Sequence, residues 1–166
     1  MVVESSRAAK PSDVDQLVAL AEQARDEVQE ARGGALWSER EAAAAPLRPW
    51  LLDYIARAPG GDTIVVCGTI DEHVVGIVAA HEEVLRSDRH IARIDELYVE
   101  PGARGVGVGE AMMHTTLRWA SGRDVAGIDA IVLPGNRDAK NFFERFGLTA
   151  RAITVHRALD ISVGSL

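Results

Sequence analysis

The chain has 166 residues, 47% hydrophobic and 26% charged, with a formal net charge of −7. This length predicts one domain, residues 1–166, and the acidic balance argues against nucleic acid or anionic lipid as a partner. No apolar run approaches the ~18 residues of a membrane span, the first ten residues lack a signal-like apolar core, and a single cysteine excludes an internal disulfide, so we expect a cytoplasmic protein.

The first third of the chain predicts two helices. Ser12 and Asp15 have the spacing of a capping box, and apolar residues then recur at helical intervals. This first helix should end before Gly33, and residues 32–38 are expected to form a flexible connection. A second helix is predicted over 39–57, with an interruption at its two prolines.

The later part of the chain predicts strands. Runs of apolar and β-branched residues, bounded by turn-forming residues, indicate five of them. They cover 63–69, 74–81, 91–99, 128–133 and 153–158.

Helices alternate with the later strands. One should begin near Val108, and another should be capped by Asn136 and end at Gly147. Strands joined by hairpins are antiparallel, whereas strands joined through a helix tend to be parallel. The order therefore predicts an α/β (α+β) fold, a mixed and mostly antiparallel central sheet flanked by helices.

A glycine-rich loop lies between the third strand and the next helix. Gly105, Gly107 and Gly109 alternate there, after Arg104. Glycines let backbone N–H groups approach a ligand closely, and unpaired N–H groups at a helix N-terminus favour an anion. The loop lacks the lysine of a P-loop and the G-x-G-x-x-G spacing of a dinucleotide site. Pyrophosphate binding is one interpretation, and a plain glycine-rich turn is the other.

Three segments together resemble the GNAT N-acetyltransferase superfamily. The loop Arg104-x-x-Gly107-x-Gly109 is similar to that family's R/Q-x-x-G-x-G/A motif, which binds the pyrophosphate of coenzyme A. The segment 94–101 resembles the strand before that loop, and Asn136-x-x-Ala139-x-x-x-Phe143 resembles the family's second cofactor segment. Residues 7–13 resemble its first strand. The resemblance implies a sheet splayed in the middle, with acyl-CoA in a V-shaped cleft.

The same resemblance implies the binding residues. Pantetheine would pair with the backbone of the pre-loop strand, and the Val99 N–H would polarise the thioester carbonyl. Asn136 would reach the pantetheine arm, cap the last helix, or do both. The implied coenzyme A contacts are Leu97, Tyr98, Val99, Arg104, Gly105, Val106, Gly107, Val108, Gly109, Glu110, Asn136, Ala139, Phe142 and Phe143.

Acyl transfer to an amine needs a base, since a lysine-like amine has an unperturbed pKa near 10.4. By resemblance Glu96 is the candidate, and its alternative role is that of a solvated or ion-paired strand residue. Asp95 and Glu100 are rivals, and strand alternation places Asp95 on the opposite face from Glu96 unless a bulge intervenes. Phe143 stands where the family often has a tyrosine that protonates the leaving thiolate. Tyr98 is a weak candidate for that acid.

Other candidates concern the acceptor site. His81 is expected near the cleft as a substrate contact or a surface residue, and Trp37 as part of a lid or of the core. The five histidines lack metal-ligand spacing, so no metal is expected. Cys67 lies in an apolar run and is interpreted as buried packing.

Two functions remain open on the residues alone. The first is an acetyl-CoA-dependent N-acetyltransferase that acts on a primary amine of a small molecule or protein, in a chain that could form a homodimer. The second is a non-catalytic acyl-CoA-binding module on the same fold, which the phenylalanine at 143 favours. A third, an unrelated phosphate-binding α/β protein, fits poorly with the three-segment resemblance.

Overall fold

Strands and helices alternate along the chain much as the sequence predicts. The computed structural model describes residues 3–159. Its strands are β1 (Glu4–Ala8), β2 (Thr63–Ile70), β3 (His73–Val84), β4 (His90–Val99) and β5 (Val125–Ala130). Its α-helices are α1 (Val14–Gln29), α2 (Gly34–Arg40), α3 (Leu47–Arg57), α4 (Val108–Ser121) and α5 (Arg137–Arg145).

The five strands form one sheet in the order β1-β2-β3-β4-β5. The first three pairings are antiparallel, and β4 pairs with β5 in parallel, which confirms the mixed sheet. The β4–β5 pairing runs only from His90 to Ile94. β5 ends at Ala130, the partner of Ile94, so the second half of β4 has no strand beside it on this side and forms an open edge.

Two apolar clusters hold the helices against the sheet. Leu17 of α1 and Leu51 of α3 pack with Ile77 on one face. Met112 of α4 and Phe143 of α5 belong to the cluster on the other face. All these side chains are buried, and each fully buried one contributes roughly 1.5–3 kcal/mol. The open edge of β4 therefore lies between two rigid layers.

The start of α1 differs from the prediction. The backbone N–H of Lys10 donates to Asp13 Oδ2 at 2.8 Å, so Asp13 rather than the Ser12–Asp15 pair organises this turn. Arg7 of β1 donates to both Asp13 carboxylate oxygens, at 2.7 and 2.9 Å. This contact holds the pKa of Asp13 at about 2. The turn is thus anchored to the sheet.

The flexible connection predicted over 32–38 is wrong, because α2 occupies most of it. A Cβ on Gly34 would lie 1.7 Å from the Val28 carbonyl oxygen, so only glycine allows α2 to start against the end of α1. Ser38 Oγ then donates to the Gly34 carbonyl at 2.9 Å. The predicted second helix is shorter than expected and begins at Leu47.

Three of the strand predictions need correction. β3 continues past His81 to Val84, and β5 covers Val125–Ala130 rather than 128–133. The strand predicted over 153–158 is absent, since residues 151–159 belong to no regular element. Ile153 is 86% exposed there. β-branched residues form a strand only beside a hydrogen-bonded neighbour, and this segment has none among the described residues.

Two further sequence predictions concern the single cysteine and membrane-spanning helices. Cys67 is fully buried on β2, which fits packing, and burial raises the pKa of its thiol to about 12. No helix of residues 3–159 is long and apolar enough to cross a membrane.

Candidate functional site

The glycine loop opens directly into α4. Gly105 and Gly107 have φ angles of +78° and +100°, a left-handed region that L side chains adopt only with strain. Gly107 is the N-cap residue of α4. Within residues 3–159, the six backbone N–H groups from Gly105 to Glu110 have no hydrogen-bond acceptor in the chain. Such a row of free donors at a helix N-terminus suits a phosphate group.

Gly109 has a packing role. A Cβ at this position would lie 3.2 Å from the Phe142 ring and 3.8 Å from a Val99 methyl group. The missing side chain therefore lets α5 approach α4 next to the open edge of β4. Phe143 is buried beside Phe142, with ring centroids 5.4 Å apart. Its ring offers no proton, as the sequence already indicated.

Arg104 does not point across the glycine loop. Its Nε donates to the Val99 carbonyl at 2.8 Å, and its Nη2 contacts both carboxylate oxygens of Glu27 on α1, at 3.0 and 2.8 Å. Its guanidinium carbon lies 5.2 Å from the centre of the Tyr98 ring. In this arrangement Arg104 fixes the end of β4 against α1.

Tyr98 is part of the same cluster. Its hydroxyl donates to Glu27 Oε1 at 2.5 Å. Burial, followed by the contact with Glu27, raises the pKa of Tyr98 to about 12. The side chain lies in the apolar cluster beneath α1 and α3, with its proton committed to Glu27. This geometry disfavours Tyr98 as an acid for a leaving thiolate.

The open edge of β4 presents backbone groups. The Glu100 N–H donates to the Val75 carbonyl at 2.9 Å, so residue 100 faces β3. Because backbone groups alternate along an antiparallel strand, Leu97 and Val99 face the opposite, unpaired side. The Val99 carbonyl already accepts a hydrogen bond from Arg104. The Val99 N–H faces the same open edge of β4.

A bulge in β4 corrects the expectation that Asp95 and Glu96 face opposite sides. Ala79 of β3 pairs with Glu96, whereas Ala80 pairs with Ile94, so Asp95 is the extra residue. Asp95 accepts a hydrogen bond from Tyr54 of α3. Both carboxyl groups therefore lie on the face covered by α1 and α3.

Glu96 is almost fully buried, with 8% of its surface exposed. Burial raises its pKa to about 7; Arg25 of α1 opposes this rise, and Asp95 adds to it. Arg25 is itself constrained, since its Nη2 donates to the Ala43 carbonyl and its buried Nε finds no acceptor in the described chain. A carboxyl that titrates near neutral pH suits a general base.

A cavity of about 450 Å³ lies next to this bulge. It is bounded by the connection between α2 and α3, by α3 itself, and by β3 and β4. His81 lines this cavity, whereas Trp37 does not. The polar, charged and aromatic side chains that line the cavity are Glu41, Trp50, Tyr54, His81, Arg93 and Asp95.

Sequence reasoning missed four of these side chains, Glu41, Trp50, Tyr54 and Arg93. Trp50 and Tyr54 are four residues apart on α3, with ring centroids 5.3 Å apart. Their spacing on one helix face was a detectable signal, but it is equally typical of core packing.

The second predicted cofactor segment is formed locally as expected. The Asn136 side chain accepts a hydrogen bond from the Ala139 N–H at 3.0 Å, which confirms its role as the cap of α5. Its amide NH₂ group is left to donate elsewhere. The described residues contain no cluster of three or more histidine, cysteine or acidic side chains that could hold a metal.

Comparisons with known proteins agree with this architecture. Among solved structures, the chain is similar to a protein of Bacillus halodurans (TM-score 0.74, 20% identity, 93% of this chain and 98% of that one). It is also similar to glucosamine-6-phosphate N-acetyltransferase of Arabidopsis thaliana (TM-score 0.67, 15% identity, 95% and 99%). A third similar structure is ribosomal-protein-alanine N-acetyltransferase of Brucella melitensis biovar Abortus (TM-score 0.63, 13% identity, 96% and 99%).

At these identities structural similarity establishes the fold alone. A search of curated protein sequences finds no match. The family model described as Acetyltransferase (GNAT) family matches residues 20–148, which is most of the chain and includes β2 to α5. The chain therefore belongs to the GNAT acetyltransferase family, as the three-segment resemblance predicted.

Proposed function

We propose that this protein is an acetyl-CoA-dependent N-acetyltransferase that transfers an acyl group to a primary amine by direct attack on the thioester. The observation that carries the proposal is the row of six free N–H groups from Gly105 to Glu110 at the start of α4. These donors follow the end of β4, the strand that also carries the buried Glu96.

The loop residues fit the pyrophosphate of acyl-CoA. The backbone N–H groups of Gly105–Glu110 would hold its oxygens, and the positive φ angles of Gly105 and Gly107 would keep those groups pointing outward. Arg104 contributes by fixing the loop to α1 and β4 rather than as a direct ligand. The Asn136 amide would donate to the pantetheine arm.

The open edge of β4 fits the extended pantetheine chain. Leu97 and Val99 direct their backbone groups to that side, so a ligand can pair with them as an added strand. A Val99 N–H donated to the thioester oxygen would stabilise the negative charge that develops there. The acyl-CoA supplies an activated acyl group, and the chain supplies alignment and proton transfer.

Glu96 is the proposed base that removes a proton from the attacking nitrogen. With a pKa of about 7 it is roughly half ionised at neutral pH, and its proton affinity is higher than that of an ordinary carboxylate. The departing thiolate does not require an acid, because a thiol pKa near 8.5 makes it a tolerable leaving group. This is consistent with Phe143 at the position where a tyrosine is common in the family.

A second candidate is a non-catalytic acyl-CoA-binding module. The observation that favours it is the absence of a free acid at two positions: Phe143 has no hydroxyl, and the Tyr98 hydroxyl is bound to Glu27. This candidate predicts the same binding of acetyl-CoA with no turnover.

Binding and turnover are tested in sequence. Thermal unfolding with and without acetyl-CoA should show a higher Tm with the ligand. Gly107→Ala should abolish most of that shift, because alanine is strained at a φ of +100°. The matched control is Gly102→Ala, since Gly102 has open space around it and no positive φ. An equal shift in all three proteins would contradict loop binding.

Turnover is then measured as release of coenzyme A thiol with a panel of primary amines. Amine-dependent release supports the transferase, and a ligand-induced Tm shift without release for any amine supports the binding module. Neither a shift nor release would overturn both candidates.

A further inference from the structure

The cavity beside the β4 bulge contains a histidine held by a carboxylate. His81 Nδ1 lies 2.7 Å from Asp95 Oδ2. The Tyr54 hydroxyl donates to the same oxygen at 2.9 Å. Arg93 Nε lies 3.5 Å from Asp95 Oδ1. Asp95 is thus fixed by residues from three elements, and its most direct partner is the imidazole.

This geometry fixes the tautomer of the ring. A carboxylate oxygen and an unprotonated ring nitrogen would repel each other at 2.7 Å, so the Nδ1 of His81 carries a proton that it donates to Asp95. In the neutral ring the lone pair is then on Nε2. The His81 side chain is 25% exposed and lines the cavity, so Nε2 is available to a ligand and to water.

The charges and surfaces of the cavity indicate the kind of ligand. The wall carries two carboxylates, Glu41 and Asp95, one guanidinium, Arg93, and the imidazole of His81. The half-buried Trp50 supplies an aromatic wall. Carboxylate oxygens beside an aromatic face suit a cation on an apolar body. Glu96 adds a further carboxyl on the same face of the sheet.

The reaction requires two proton acceptors. A primary amine arrives at neutral pH as an ammonium ion. Its nitrogen must lose one proton before it can attack and a second one as the amide forms. One carboxyl group cannot accept both within a turnover unless it first releases a proton. A buried Glu96 has no direct route to solvent, whereas a partly exposed imidazole does.

We propose that this cavity binds the acceptor as a primary ammonium ion on an apolar or aromatic body, and that His81 accepts its first proton. The inference rests on the proposed function. Nε2 of His81 takes the proton from the ammonium nitrogen and passes it to water. The neutral nitrogen then forms the new C–N bond as the C–S bond breaks, and Glu96 takes the second proton. Glu96 then gives its proton to the departed thiolate, which restores the carboxylate, so the proton that His81 passed to water is the one proton released per turnover.

Asp95 and Tyr54 are positioning residues in this scheme. Asp95 keeps the proton on Nδ1, and Tyr54 keeps Asp95 in place from α3. In Asp95→Asn the amide oxygen is the better partner for Arg93, which turns the NH₂ group toward His81. The ring must then accept at Nδ1 and carry its proton on Nε2, where it can no longer receive the substrate proton.

The kinetic test compares wild type with His81→Gln on 2-phenylethylamine, following thiol release from pH 6.5 to 10. We expect kcat/KM of the variant to be about 10²-fold lower at pH 7. The deficit should shrink to a few-fold near pH 10, where the amine is already neutral. The control is His73→Gln, an exposed histidine next to the β2–β3 turn. A deficit that stays constant across the pH range would overturn the role of His81.

A second readout does not depend on turnover. Long-range ¹H–¹⁵N NMR spectra should show the Nδ1–H tautomer of neutral His81 in wild type and the Nε2–H tautomer in Asp95→Asn. Titration with 2-phenylethylammonium should shift the His81 ring signals to saturation, and 2-phenylethanol should not. If the ammonium binds but no amine gives thiol release, the proposed function fails while the cavity assignment stands. If neither compound shifts His81, the cavity assignment fails.

Discussion

The buried carboxyl of Glu96 should make the protein less stable as the pH rises. Its pKa of about 7 in the folded chain compares with an ordinary value of 4.5. Below about pH 4.5 the group is protonated in both states. Between pH 4.5 and 7 the unfolded chain ionises first, so folding stability falls, and above pH 7 the full cost remains. This difference corresponds to roughly 3 kcal/mol.

Glu96→Gln removes this cost while it keeps the shape of the side chain. We expect the free energy of unfolding of the variant, relative to wild type, to be roughly 2–3 kcal/mol higher at pH 8 than at pH 5. Using the difference between two pH values cancels any constant cost of burying the amide. The assay is urea unfolding at both pH values, with the exposed Glu39→Gln on α2 as a matched control.

The same variant should lose activity. We expect a drop in kcat/KM of about 10²-fold or more at pH 8, where wild-type Glu96 is ionised, and a smaller drop below pH 6, where it is protonated. A substitution that stabilises the fold and removes turnover is typical of a functional carboxyl in an unfavourable environment. If the free energy of unfolding differs between variant and wild type by the same amount at pH 5 and pH 8, burial does not destabilise the ionised form of Glu96.

Three further predictions concern other parts of the fold. Gly109→Ala should lower the stability by about 1 kcal/mol and weaken acetyl-CoA binding, because its Cβ would crowd the Phe142 ring at 3.2 Å; calorimetric Tm and Kd values measure both effects, and an unchanged Tm would contradict the packing role. Asp13→Asn should lower the free energy of unfolding by about 1–2 kcal/mol at pH 7 and by almost nothing at pH 2. The reason is that the contact with Arg7 lowers the pKa of Asp13, so it stabilises the fold above the ordinary pKa of 3.8 and is lost as the pH falls through about 2. A loss of the same size in urea unfolding at both pH values would argue against this contact. Cys67 should react with a disulfide reagent at least about 10²-fold more slowly in the native chain than in urea, because its thiol is fully buried with a raised pKa, and rapid native labelling would show that this part of the core opens.

Local signals in the sequence predicted the backbone conformation of the glycine loop and of the α5 cap. The glycines at 105 and 107 have positive φ angles that no other residue adopts easily, and Asn136 caps α5 through a bond to a residue three positions away. Both features depend on short-range chemistry, which the sequence carries directly. The mixed sheet followed from the order of hairpins and helices in the same way.

Features set by contacts between distant segments could not be predicted. The bulge at Asp95 depends on the register of β4 against β3, and it reverses the face that simple alternation assigns to this side chain. An arginine beside a glycine loop is a typical phosphate ligand, yet the Arg104 guanidinium forms an ion pair with Glu27, which is 77 positions earlier in the chain. The run 153–158 has strand composition, but strand formation also requires a neighbour, which composition does not report.

The most direct test of the proposed transferase is product analysis by mass spectrometry after incubation of the full chain with acetyl-CoA and 2-phenylethylamine. The proposal predicts the N-acetyl amine and free coenzyme A in equal amounts, with both strongly reduced in Glu96→Gln and in Gly107→Ala. A chain that binds acetyl-CoA but acetylates neither this amine nor any other primary amine of a panel would contradict the proposed transfer.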